Sequence, residues 1–130
     1  GSGADRVLAD RSDRLTGCER VRFAVSPYPL VTPRRGGSET TFTVYFRALY
    51  PAGGGRGRYV IGAVHSGECR TGYSSFGRVS KGRIERGEIV RFRLPPGPHG
   101  GWCPGVFHGV GHWERGSEDI RLGRFAFRVR

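Results

Sequence analysis

The chain contains no methionine and only one lysine, Lys81, among its 22 basic residues. Arginine without lysine is what a GC-rich genome writes wherever it needs a soluble cation. The formal net charge of +11 therefore reads first as codon bias with solubility. The other reading is an anion-binding face: this charge is enough to attract nucleic acid, acidic glycan or anionic headgroups. A guanidinium fork also grips carboxylate or phosphate with two bonds. No run approaches the roughly 20 apolar residues of a membrane span. No signal peptide is visible, and the opening Gly1-Ser2-Gly3 resembles a cloning scar.

Cysteine is scarce, at three residues, and no CxxC or CxxxC spacing occurs, which argues against structural zinc. Cys69 and Cys103 flank a stretch of glycine, serine and proline, which suits a disulfide in a secreted domain. A Cys69–Cys103 bridge is favoured over the other pairings. Cys18 is then a free thiol or a partner for something outside this chain.

Helix signals are weak. Glycine numbers 23 and proline 8, and the apolar runs between them are short. Period-two alternation stands in their place. Arg20-Val21-Arg22-Phe23-Ala24-Val25, Val90-Arg91-Phe92-Arg93-Leu94 and Arg124-Phe125-Ala126-Phe127-Arg128-Val129-Arg130 alternate arginine with large apolar residues. That pattern puts one set of side chains in a core and the other in water. Strands are expected at about 20–26, 39–49, 59–65, 88–94, 106–113 and 122–129, with a short edge strand near 78–84. Within 39–49, Phe42, Val44, Phe46 and Ala48 point one way, and Thr41, Thr43, Tyr45 and Arg47 the other. Residues 59–65 are apolar on both sides, as in a central strand. Residues 34–37 and 51–55 read as a turn and a flexible loop. The 130 residues fit one domain at 19–130, after a polar lead-in or linker at 1–18. Seven or so short strands at this spacing predict an all-β, two-sheet antiparallel sandwich.

The chain at 20–130 resembles the immunoglobulin-like β-sandwich modules of secreted and cell-wall-exposed proteins of high-GC bacteria. The likeness rests on Arg22-Phe23-Ala24-Val25-Ser26-Pro27, on Glu88-Ile89-Val90-Arg91-Phe92-Arg93-Leu94-Pro95, on Trp102-Cys103-Pro104-Gly105-Val106-Phe107 and on Gly123-Arg124-Phe125-Ala126-Phe127-Arg128-Val129. It implies a spacer, adhesion or docking domain and no catalysis. It differs from an antibody-type domain in its cysteines, one in a loop after a strand and one at the start of a strand. This places the bridge at one end of the sandwich. Phe107 stands where a corner tyrosine would be.

Catalytic and metal constellations are thin. His108 and His112 are four apart, but the surrounding glycines oppose a helix. On a strand that spacing is roughly 13 Å, too far to share an ion without His65 or His99. Carboxylates are scattered, no Gly-x-Ser-x-Gly elbow exists, and a bridge would consume Cys103 beside His99. Gly53-Gly54-Gly55-Arg56-Gly57-Arg58 lacks the P-loop ending. No enzyme activity, cofactor or metal is expected.

The expectation is a non-catalytic, extracytoplasmic structural or protein-interaction module of a bacterial surface or secreted protein. Its partner would be an unidentified protein or anionic polymer at the cell surface, with nucleic acid less favoured. The alternative is a polyanion-binding module. If the first, second and fifth strands share a sheet, Arg20, Arg22, Tyr45, Arg47, Arg91 and Arg93 form one outer face. Arginines interleaved with an aromatic can hold an anionic polymer by charge and stacking, or simply keep the face solvated. Arg124, Arg128 and Arg130 are expected on the other sheet.

Overall fold

The computed structural model describes residues 26–69, 72–97 and 100–130. Among them are eight strands and no helix: β1 (Leu30–Thr32), β2 (Arg35–Gly36), β3 (Phe42–Arg47), β4 (Arg58–Ser66), β5 (Ser75–Val79), β6 (Ile89–Leu94), β7 (Gly105–Arg115) and β8 (Glu118–Val129). They form two sheets, ordered β1-β3-β6 and β2-β8-β7-β4-β5.

Alternation decides which side chains the sheets bury. In β3, Phe42, Val44 and Phe46 are buried, while Thr43, Tyr45 and Arg47 face outward. β6 and β8 read the same way, burying Val90, Phe92 and Leu94, and Phe125, Phe127 and Val129. The two inner faces meet around a ring cluster. Phe127 stacks on Phe42 at 4.1 Å and on Phe107 at 4.9 Å, and Trp102 stands edge-on to all three. Offset and edge-to-face pairs at these separations add to the burial of the rings.

β7 and β8 form a long hairpin that turns at Gly116, whose φ of 59° is left-handed. A register shift interrupts it between Gly111 and His112. Opposite the shift, Gly123 takes φ 151° and lies under Tyr28 and Pro29, where a Cβ would meet Pro29 at 3.2 Å. The kink thus lets the chain before β1 settle onto β8.

Several expectations need correction. There are eight strands among the described residues, not seven. The five-stranded sheet is mixed, not antiparallel, because β2 pairs parallel with β8 through Arg35↔Arg128 and Gly36↔Val129. Residues 34–37 are therefore partly strand, and the turn follows them, with the Thr40 N–H donating to the Gly37 carbonyl at 3.1 Å. The edge strand near 78–84 lies earlier, at Ser75–Val79, because Ala63 and Val64 of β4 pair with Phe76 and Ser75. β4 is flanked on both sides but buried on only one face. The strand expected at 20–26 lies outside the described residues, apart from Ser26, whose carbonyl accepts from the Arg47 N–H.

A tyrosine does pin a loop, at a different place from the Phe107 position. The buried Tyr59 hydroxyl donates to the Tyr50 carbonyl at 2.6 Å and accepts from the Tyr50 N–H at 3.0 Å. Burial raises the Tyr59 pKa above the ordinary phenol value, and burial does the same at Tyr73, whose hydroxyl donates to the Pro95 carbonyl. The folded state thus holds these protons more tightly than the unfolded chain. Their stabilisation is complete below about pH 10 and is lost as pH rises through the raised values. The urea midpoint should fall between pH 9.5 and 11 (~1.5 units chosen to span the phenol range). Tyr59→Phe should flatten that fall while lowering the midpoint at neutral pH. An unchanged alkaline slope in the variant would count against a buried phenol here.

Candidate binding surface

The cysteine pairing expected from the sequence is present. Cys69, after β4, and Cys103, before β7, stand at disulfide distance with Cα atoms 5.8 Å apart. The pair lies at one end of the sandwich, where Trp102 and Cys103 are almost fully buried. Tyr73 bridges to Trp102 beside it. Among the described residues no helix is long and apolar enough to cross a membrane.

Of the arginine face, Arg20 and Arg22 lie outside the described residues. The other four members share the outer surface of the three-stranded sheet. Tyr45 stands directly opposite Arg91, Thr43 opposite Arg93, and Arg47 opposite Ile89. Arg47, Arg91 and Arg93 are exposed and make no ion pair with a described residue. Arg124 and Arg128 lie on β8, on the outer face of the other sheet, and Arg130 follows it. The arginines are thus divided between two surfaces.

The sequence did not reveal what lies beside Arg91 and Arg93. β6 ends its sheet, and β5 ends the other on the same side of the molecule. Between them runs a groove of about 450 Å³. Its walls include Val79, Ile84 and Phe92, and Lys81, Arg91 and Arg93 supply cations. The connection from β5 to β6, residues 80–88, is held to the fold by the Ala52↔Ile84 bridge, by backbone bonds of Ser80 to Tyr59 and of Gly87 to Ala48, and by the Arg56–Glu85 pair, and adds no strand. The Ala48 N–H donates to the Glu88 carbonyl. By alternation, Val90, Phe92 and Leu94 turn their backbone groups toward β3, and Ile89, Arg91 and Arg93 turn theirs to the edge that no described strand pairs. The only signal for this in the sequence was the short span between two strands, which left no room for another.

A second surface was also missed. The outer face of the five-stranded sheet carries Val60, Val64 and Val79 with Gly62 and Gly77 between them, followed by Val106 and Val110. Val64 is 64% and Val79 44% exposed. Residues 59–65 are apolar on both sides and central in their sheet, as expected, but one of the two faces is left exposed.

The histidines do not converge. His65 points inward, and its Nε2–H donates to the Pro104 carbonyl at 2.5 Å. His108 and His112 face outward from β7. His112 Nδ1 lies 2.7 Å from Asp119 Oδ1. His99 lies outside the described residues. Among those described, no group of three His, Cys, Asp or Glu residues could hold a metal.

The glycine loop after Ala52 is closed by its own cation. Arg56 donates to the Ala52 and Gly53 carbonyls and to the Glu85 carboxylate. The hydrogen bond and charge of Arg56 hold the Glu85 carboxyl below its ordinary pKa. This clasp is complete above the unfolded carboxyl value and loosens as pH falls below it.

No family model matches the chain, and neither a curated protein nor a solved structure matches it significantly.

Proposed function

We propose that the chain is a non-catalytic, extracytoplasmic protein-interaction module of a bacterial surface or secreted protein, and that it makes its contact along the open side between β5 and β6. The observation that carries this reading is the groove there: two strand edges that no described strand pairs, apolar walls and a cationic rim in one place. Unpaired edges bind by adding a strand, with main-chain hydrogen bonds giving affinity and alternate side chains giving specificity.

The immunoglobulin-like reading is supported by strand order. With β1 and β2 taken as one first strand split between the sheets, the order runs A-B-E and A-G-F-C-C′. That is the constant-type arrangement with C′ added and strand D left out. The cysteine pair supports an oxidising compartment. Placement is tested on protein recovered from its own cells, alkylated without reduction and weighed by mass spectrometry. A Cys69–Cys103 bridge is the expected result, and free thiols at both positions would overturn the extracytoplasmic placement.

A polyanion-binding module is a second reading, favoured by the lack of carboxylate partners for Arg91 and Arg93 among the described residues. On this reading, retention on immobilised heparin falls with salt, and Arg91→Ala with Arg93→Ala lowers the slope of log K against log salt by about 2. Arg124→Ala with Arg128→Ala should leave it nearly unchanged. Equal losses from both pairs would mean generic charge and no site.

A further inference from the structure

We infer that β6 accepts one additional strand from a partner protein, and that this strand is acidic, alternating carboxylates with apolar residues. The inference rests on the open-side reading above and names what fills that side.

Three features of β6 specify the occupant. The first is its backbone. Ile89, Arg91 and Arg93 present N–H and C=O groups to an edge that no described strand pairs. Six residues at ~3.4 Å each give an edge about 20 Å long. That is enough for three donor–acceptor pairs. No bulge is recorded in its pairing with β3, and no proline lies within it; Pro95 comes only after it ends.

The second feature is charge. Arg91 and Arg93 are two residues apart on the outer face, so residues i and i+2 of an added strand stand opposite them. Carboxylates there meet guanidinium groups that have no ion-pair partner among the described residues. Lys81 adds a third cation on the groove wall. The same charges exclude the simplest competitor. A second copy pairing β6 with β6 would oppose arginine to arginine, on a chain of formal net charge +11. Like charges facing each other across strands are destabilising.

The third feature is the groove wall. Residues i+1 and i+3 of the added strand turn inward, toward Ile84 and Phe92. Ile84 and Phe92 are already buried, at 8% and 7% exposure, beneath this thin side of the core. Apolar side chains placed there extend the core sideways, where strand D of a constant-type domain would pack. A partner with charge but no alternation satisfies the rim and leaves this wall wet. An apolar partner without carboxylates leaves the arginines unpaired.

The test uses the intact chain and a fluorescein-labelled eight-residue probe of alternating glutamate and valine (~27 Å extended, to span the edge). Its control has the same composition in Glu-Glu-Val-Val order. Fluorescence anisotropy should show saturable binding of the alternating probe, about tenfold tighter than the control. Arg91→Ala with Arg93→Ala should weaken it about tenfold, the sum of two modest ion pairs. Arg124→Ala with Arg128→Ala should change it less than about twofold, since those arginines lie on the other sheet. In the unsubstituted protein, the probe should slow amide exchange at Ile89, Arg91 and Arg93. Equal binding of both peptides, or no slowing at those amides, overturns strand addition. Heparin binding that needs Arg91 and Arg93 without amide protection also overturns it, and assigns the face to a polyanion. If the unreduced protein carries the bridge but the alternating probe does not bind, strand addition fails and the extracytoplasmic placement stands. If the thiols are free and the probe binds, the placement fails and strand addition stands.

Discussion

Trp102→Ala should lower the free energy of unfolding by about 4 kcal/mol, the middle of the range for removing a buried aromatic ring. Trp102 is 1% exposed and touches the rings of Phe42, Tyr73, Phe76, Phe107 and Phe127 at centroid distances from 4.5 to 5.8 Å. It thus joins both sheets to the cysteine-bearing loops. Its indole N–H donates to the Thr40 carbonyl at 2.7 Å, and its backbone N–H to the Ser38 carbonyl at 2.8 Å. Alanine therefore leaves a cavity and an unpaired carbonyl together, which adds to the transfer cost. A domain of this size has ~5–15 kcal/mol in total, so the loss is a large share. Urea unfolding followed by Trp113 fluorescence and far-ultraviolet circular dichroism measures it. Trp102→Phe should recover about half, because it restores ring packing but no N–H donor. A loss under ~1.5 kcal/mol for the alanine variant would mean that the site relaxes around the missing ring.

The second large effect belongs to the cysteine pair. Its sequence separation of 34 closes a loop holding β5 and β6 and the whole open side. The chain-entropy model gives about 4 kcal/mol for a loop of that length. Cys69→Ala with Cys103→Ala should cost 2–4 kcal/mol (~3 in the middle of the usual range), seen as a fall in the urea midpoint with a steeper slope, because the unfolded chain expands once the cross-link is gone. Oxidised and reduced wild type should differ by the same amount. A reduced protein as stable as the oxidised one would show that the bridge removes no entropy from the unfolded chain. The two effects should not add. Trp102 and Cys103 are neighbours in sequence and in the core, and changes in contact couple.

These two sites also separate what is local in a sequence from what is not. The parity of Phe42, Val44 and Phe46 is a local fact, so alternation found the core face of β3 without any knowledge of its neighbours. The same logic placed Tyr45, Arg47, Arg91 and Arg93 on one outer face, and pairing of β3 with β6 brought them together. Cys69 and Cys103 were paired on composition and flanks alone. The misses are non-local. Leu30–Thr32 lies between Pro29 and Pro33, whose missing N–H groups read as a break, yet a three-residue edge strand fits between them. Ser75–Val79 has no alternation of its own and is a strand because β4 offers it a partner. Val60 and Val64 look like interior residues until the sheet order shows nothing described above them. Whether the edge at Arg91 and Arg93 is open depends on which strands lie beside it, and no window of sequence contains that.

The first segments and the last strand run side by side in one direction. From Ser26, bonded to Arg47 at one end of β3, the chain passes through β1 and β2 to Gly36, whose carbonyl accepts from the Arg130 N–H at 2.8 Å. β8 travels beside it to that same end. Tension applied at Ser26 and at Arg130 therefore pulls two neighbouring segments in opposite senses along their length. The hydrogen bonds of β1 to β3 and of β2 to β8 are loaded in shear, all together, instead of being unzipped singly. A small domain connected this way passes mechanical load along its strands, and its weakest direction is a pull across the sheets.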